Sequence, residues 1–141
     1  MDYLDMMKTA NKNPFAEMMD LKITDVRLGY SKVEIDVREK HINPIGTVHG
    51  GCLYTMADVA AGSAAASHGR IAPTLDSNFH FLNAGKNTKH LIAEAHEIKY
   101  GKRAMVYDVK IYDQDEVLLA CGTFTFMSIG TKHEFVQEQD N

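Results

Sequence analysis

The sequence predicts an α+β domain in which one long helix lies across a curved antiparallel sheet, with a short helical segment ahead of it. Three observations carry that reading. Val33, Ile35 and Val37 alternate with Glu34, Asp36 and Arg38, the period of a half-buried strand. A single alanine-rich apolar run follows a pair of glycines at Gly50 and Gly51. Beyond residue 75 every segment reads as strand, so a sheet with one face to bury has only one long helix to cover it.

Taken in order, Tyr3, Leu4 and Met7, then Phe15, Met18 and Met19, show helical spacing broken at Asn13-Pro14, where the proline opens a second helix. Residues 1–19 are thus an N-terminal helical segment docked on the core. Residues 22–28 and 32–38 form a hairpin about "RLGYS", and "EKHINPIG" is loop. The helix spans 50–67 and ends at His68-Gly69, a glycine cap. Strands follow at 75–82, in "LIAEAHEIKY", in "RAMVYDVKIY" and in "VLLACGTFTFMSI". In the last two, Met105, Tyr107, Val109 and Ile111 share one face, as do Ala120, Gly122, Phe124 and Phe126. The domain proper covers 20–130, and 131–141 is a polar tail expected to fray.

At 141 residues the chain is long enough for one domain with a real core. A net charge of -4 without a basic block argues against nucleic acid as a partner. The N-terminus has acids where a secretory signal needs bases, and no apolar run is long enough to span a bilayer, so no membrane association and a cytoplasmic location are expected. Two isolated cysteines, Cys52 and Cys121, form no disulfide framework or zinc site, and no metal or cofactor is expected.

The segment "GTVHGGCLYTMAD" carries the chemistry. The first turn of a helix presents N–H groups without intrahelical partners and a partial positive charge, and glycines let an oxygen approach them. Gly50 and Gly51 therefore form either an oxyanion site or a tight packing turn. On a helical wheel, Asp58 shares a strip of small residues with Gly51, Tyr54, Ala61, Gly62 and Ala65, while Leu53, Met56, Ala57, Ala60 and Ala64 face the sheet. Nine residues at ~1.5 Å each place Asp58 ~13–14 Å beyond His49 on its own helix. If Asp58 works beside an oxyanion site, the donors come from a second, antiparallel copy of the helix, which a two-fold dimer supplies.

The stretch "NPIGTVHGGCLYTMADVAAGSAA", with Asn43, His49-Gly50-Gly51 and Asp58 at this spacing, resembles the signature of hotdog-fold thioesterases of the PaaI-like (phenylacetyl-CoA thioesterase-like) branch. "TLDSNFHFLNAG", "LIAEAHEIKYGKRAMVYDVKIYDQDE" and "LLACGTF" follow the same pattern, so the likeness runs over about residues 20–128. It implies a hotdog fold and hydrolysis of an acyl- or aryl-CoA to a carboxylic acid and coenzyme A. It implies further that the Gly50 N–H polarises the thioester carbonyl and that Asp58 of the facing subunit acts as nucleophile or general base. Asn43 would position water or the carboxylate, His49 would orient the loop or hydrogen-bond near the carbonyl, and Thr74, the weaker candidate, would assist from the start of the next strand. Gly51 and Tyr54 would line the substrate site. Relatives usually carry a proline and a second glycine in the turn that reads "NAGKNTKH"; its Lys86, Lys89 and His90 would meet CoA phosphates instead. A homodimer is implied, with a dimer of dimers also open.

Other readings compete. A non-catalytic acyl-CoA sensor or carrier on the same fold would leave a buried carboxylate without a task. A hydratase would want its acid paired with a histidine near the helix start, earlier than Asp58. Cys52 feels the helix dipole, but an apolar first-turn cysteine is more often a packing residue. Tyr54 fits an acyl pocket and simple packing equally well.

Overall fold

The computed structural model describes residues 2–131. The expected hairpin forms from β1 (Leu21–Arg27) and β2 (Tyr30–Asp36), turning at Leu28-Gly29. After the loop comes α3 (Gly50–Ala66), then β3 (Arg70–Ile71), β4 (Thr74–Phe81), β5 (His90–Tyr100), β6 (Ala104–Asp113), β7 (Leu118–Met127) and β8 (Gly130–Thr131). Six strands form one antiparallel sheet in the order β1-β2-β5-β6-β7-β4. Sheet order thus departs from chain order, because the chain crosses through α3 to the far edge before it returns to pair β5 with β2. The two-residue strands β3 and β8 make a separate ribbon, too short for alternation to betray.

Alternation becomes burial as the period requires. Val33 and Ile35 are buried, as are Met105, Tyr107, Val109 and Ile111 on β6 and Ala120, Phe124 and Phe126 on β7. Gly122 completes the β7 row, where any side chain would run into the Asn78 carbonyl oxygen of β4. All six strands of the large sheet touch α3. Six strands spaced ~4.8 Å apart span ~24 Å, about twice the diameter of one helix, so the sheet reaches α3 on all sides only by curling around it.

The predicted sheet-facing sector of α3, Leu53, Met56, Ala57, Ala60 and Ala64, is buried throughout. Ala61 and Ala65, expected on the Asp58 strip, are buried as well. Short side chains let the surroundings close over that part of the helix, and Gly51, Tyr54, Asp58 and Gly62 remain as the uncovered or half-covered strip. Two serines fasten the buried helix. Ser31 donates to the Ala60 carbonyl (2.5 Å), and Ser67 accepts from the Gly29 N–H (2.8 Å) while donating to the Ala64 carbonyl (2.6 Å).

The N-terminal segment forms α1 (Tyr3–Asn11) and α2 (Pro14–Met18), with Asp2 and Asn13 as N-caps and Pro14 opening α2. Both pack on β1. The Asn11 carboxamide accepts from the Ile23 N–H (2.8 Å) and donates to the Ile23 carbonyl (3.1 Å), pairing with the edge strand as another strand would. Behind α2, the Met18 carbonyl accepts from Lys40 Nζ (2.9 Å). His41, fully buried, donates from Nε2 to the Met19 carbonyl (2.7 Å) and accepts at Nδ1 from the Arg38 N–H (2.9 Å). Its own carbonyl accepts from the His49 N–H (2.7 Å), so one residue ties the N-terminal segment to the start of α3.

Among the described residues no helix is long and apolar enough to cross a membrane. The expected polar tail, apart from Thr131, lies outside the described residues.

His41→Ala should lower the unfolding free energy by about 2–4 kcal/mol, since it strands two part-buried backbone groups and leaves a void where a fully buried ring stood. Urea denaturation measures this; a loss under ~1 kcal/mol would remove His41 from its structural role.

Candidate active site

The loop before α3 is shaped by Asn43. Its Oδ1 accepts from the Ile45 N–H (3.1 Å) and the Thr47 N–H (3.0 Å), and its Nδ2 donates to Thr47 Oγ1 (2.8 Å). Gly46, at φ +85°, turns the loop between them. The loop is clamped to the segment after β4, where Val48 N–H donates to the Gly85 carbonyl (3.1 Å) and Thr47 pairs with Lys86. A Cβ on Gly85 would lie 2.7 Å from Val48 Cγ2, so this glycine is required by close approach. The turn that follows takes its positive φ at Asn87 (+56°), a residue that tolerates that region.

At the helix start the donors are distributed unequally. His49 is the N-cap, its Nδ1 accepting from the Gly51 N–H (2.8 Å), which leaves the other ring nitrogen, Nε2, to carry the proton of the neutral ring. The His49 carbonyl accepts from Cys52 (2.9 Å) and Leu53 (3.3 Å). Among the described residues only the Gly50 N–H of this first turn has no acceptor. Gly50 opens, with Asn43, Phe81 and Asn83, onto a cavity of about 280 Å³.

Asp58 lies two turns further along. It is half-buried, and its Oδ1 accepts from Thr74 Oγ1 (2.7 Å) at the start of β4. Asp58 and Thr74 line a different, larger cavity of about 630 Å³, floored by Gly62 and Phe126 and walled by α1 and α2. Within one chain, then, Asp58 meets Thr74 but does not share a cavity with Gly50 or Asn43. Tyr54 stands between, on the exposed strip. Its hydroxyl bonds Ser77 Oγ (2.6 Å) and its ring packs edge-on against Phe79, with centroids 5.5 Å apart. Ser77 had no signal in the sequence beyond its place in a strand.

The basic residues separate. Lys86 is exposed beside the Thr47 loop, and Lys89 is exposed where its N–H meets Gln114 Oε1 (3.0 Å). Both ring nitrogens of His90 are occupied, Nδ1 by Asp36 (2.8 Å) and Nε2 by Glu34 (3.0 Å), so a phosphate there would meet two carboxylates. These carboxylates flank opposite sides of the ring and do not converge; among the described residues no cluster gathers as metal ligands. Burial pushes the Cys52 thiol up to about 11, an inert core thiol rather than a nucleophile.

The model of the thioesterase superfamily matches residues 45–120, the stretch from the Asn43 loop through α3 to β7. The chain belongs to this superfamily. A 1,4-dihydroxy-2-naphthoyl-CoA hydrolase of Listeria monocytogenes is 33% identical over 112 residues, covering 77% of this chain and 90% of its own. Among solved structures, the PaaI protein of Escherichia coli, from the phenylacetic acid degradation operon, superposes with a TM-score of 0.86 at 26% identity, covering 92% of this chain and 94% of that one. A hypothetical thioesterase protein of Streptococcus pneumoniae, solved with coenzyme A, superposes at 0.81 with 29% identity, over 89% of this chain and 98% of that one. This chain is a hotdog-fold, PaaI-like thioester hydrolase.

The His90 cluster makes a pH prediction for this thioesterase. Hydrogen bonding to Glu34 and Asp36 raises the His90 pKa, so its contribution to stability is full below the unfolded value near 6.5 and fades as pH rises through the folded one. Burial works to raise Glu34, but bonds from Thr24 and His90 outweigh it and the net shift is down; that contribution is full above about 4.3 and fades as pH falls through the folded value. The stability difference between wild type and His90→Ala should therefore peak between about pH 4.5 and 6.5, at under ~1 kcal/mol for so exposed a cluster. Thermal melts across pH 4–8 measure it, and a pH-independent difference would refute the coupling.

Proposed function

We infer that the chain hydrolyses acyl-CoA thioesters at sites shared between two copies of itself. The observation that carries the reading is the division of labour along α3: one free N–H at Gly50, one carboxylate at Asp58, and a separate cavity for each. Eight residues of helix put them ~12 Å apart, too far to act on one carbonyl. An antiparallel second copy of the exposed strip brings the Asp58 of one chain to the Gly50 of the other, twice.

The outer edge of β4 supports this pairing. Leu75 (57% exposed), Phe81 (58%) and the adjoining Leu82 (50%) leave apolar surface around a strand edge that is unpaired among the described residues, next to the exposed Tyr54. In such a dimer the thioester carbonyl oxygen accepts from the Gly50 N–H, which stabilises the negative charge that builds there as the carbonyl is attacked. Asp58, oriented by the Thr74 hydroxyl, either removes a proton from the attacking water or attacks the carbonyl itself. Asn43 and His49 hold the donor in place through the loop and the N-cap. Gly51 leaves the strip bare for the substrate, Tyr54 lines it, and Lys86 and Lys89 offer the charge for CoA phosphates.

Asp58→Asn should reduce kcat by about 10²–10⁴-fold with an unchanged melting temperature, read by thiol release from a panel of acyl-CoAs. Unchanged turnover in the folded variant would refute the assignment. Gly50→Pro removes the free donor at a position where helices accept proline. Mixed and reassociated with Asp58→Asn subunits, it should restore about a quarter of wild-type activity, since half the dimers then hold one intact site. A mixture no more active than its parents would place each site within one chain.

A further inference from the structure

We propose that the N-terminal helical pair is the wall of the acyl chamber, so that α1 and α2 set the length of acyl group this thioesterase accepts. The inference rests on the assignment of Asp58 to the thioester carbon. The cavity that Asp58 and Thr74 face runs away from them between α3 and the N-terminal segment. Met6, Ala10 and Phe15 form one side, and Val59, Pro73 and Phe126 the other. Only Asp58 and Thr74 mark the end where chemistry would occur, and the groove beyond them is mainly apolar. Such a shape fits an apolar acyl group of more than a few carbons, and a two-carbon acyl would leave it empty.

The wall is built to stay where it is. Asn11 pairs both of its amide groups with Ile23, Asn13 caps α2, and the Met18 and Met19 carbonyls are held by Lys40 and His41. A helix pair anchored this way keeps the wall in place instead of swinging aside, which is what discrimination by chain length needs. Thr9 projects from α1 into the same groove from an exposed position, so enlarging it narrows the groove without disturbing the packed side of the helix.

Non-hydrolysable S-alkyl coenzyme A thioethers, methyl to dodecyl, test this by calorimetric titration of the full chain. Affinity should rise roughly fourfold for each buried methylene until the groove is full. Thr9→Phe should end that rise at least two carbons earlier, and Met6→Ala should extend it, with both variants melting cooperatively as wild type does. A wild-type affinity indifferent to chain length, or variants that shift every thioether by one common factor, would overturn the proposal. Because binding is read without turnover, failure of Asp58→Asn to abolish hydrolysis would be a separate result, leaving the chain-length profile to judge the chamber.

Discussion

A single helix must bury the concave face of a six-stranded sheet, and most of the molecule follows from that constraint. Only a helix of small side chains lets six strands close around it. The alanines at 57, 60, 61, 64 and 65 do so, and they surrender all but a narrow strip of α3 to the core. Whatever chemistry the helix carries must then fit on that strip and at its exposed N-terminus. Glycine at 50 and 51, tyrosine at 54 and aspartate at 58 are what the strip holds. A mean apolar character around the whole helix is thus the mark of enclosure, and its polar exceptions are the residues worth attention.

Enclosure also dictates how the helix is held. Its flanks have no room for long polar side chains, so it is fastened by short hydroxyls to its backbone and by caps at its ends. Ser31 and Ser67 satisfy carbonyls in the buried half. At the front, His49 takes up the N–H of Gly51 and leaves that of Gly50, so the cap itself selects which donor is available. His41, one loop earlier, couples that cap to the N-terminal segment.

Much of this was legible in the residues. Alternation in 33–37 and on β6 and β7 read directly as buried faces, and the glycine pair with the His68-Gly69 stop bounded α3 to within a residue. Rise per residue sufficed to separate Asp58 from its own glycines. Other features had no local signal. His41 stands in what reads as polar loop, and only tertiary contacts make it a buried hub. Ala61 and Ala65 fall on the Asp58 side of a helical wheel, which knows the angle of a residue but not how far a sheet curls. Thr74 was the weaker candidate by position, yet its hydroxyl is the one bonded to Asp58. His90 looked like a free cation in a basic turn, because its two carboxylates sit more than fifty residues earlier in the chain.

The two margins of the sheet are treated differently. Along β1, the N-terminal helices cover the edge and the Asn11 carboxamide occupies the backbone groups of Ile23. Along β4 no strand pairs with the outer edge among the described residues. Under the proposed pairing such a sheet is lengthened once and no further: two copies joined β4 to β4 would turn only their β1 margins outward. On the proposed pairing, the side chain of Asn11 does for assembly what a terminator does for a growing chain, because it already holds the backbone groups of Ile23 that a further strand would need.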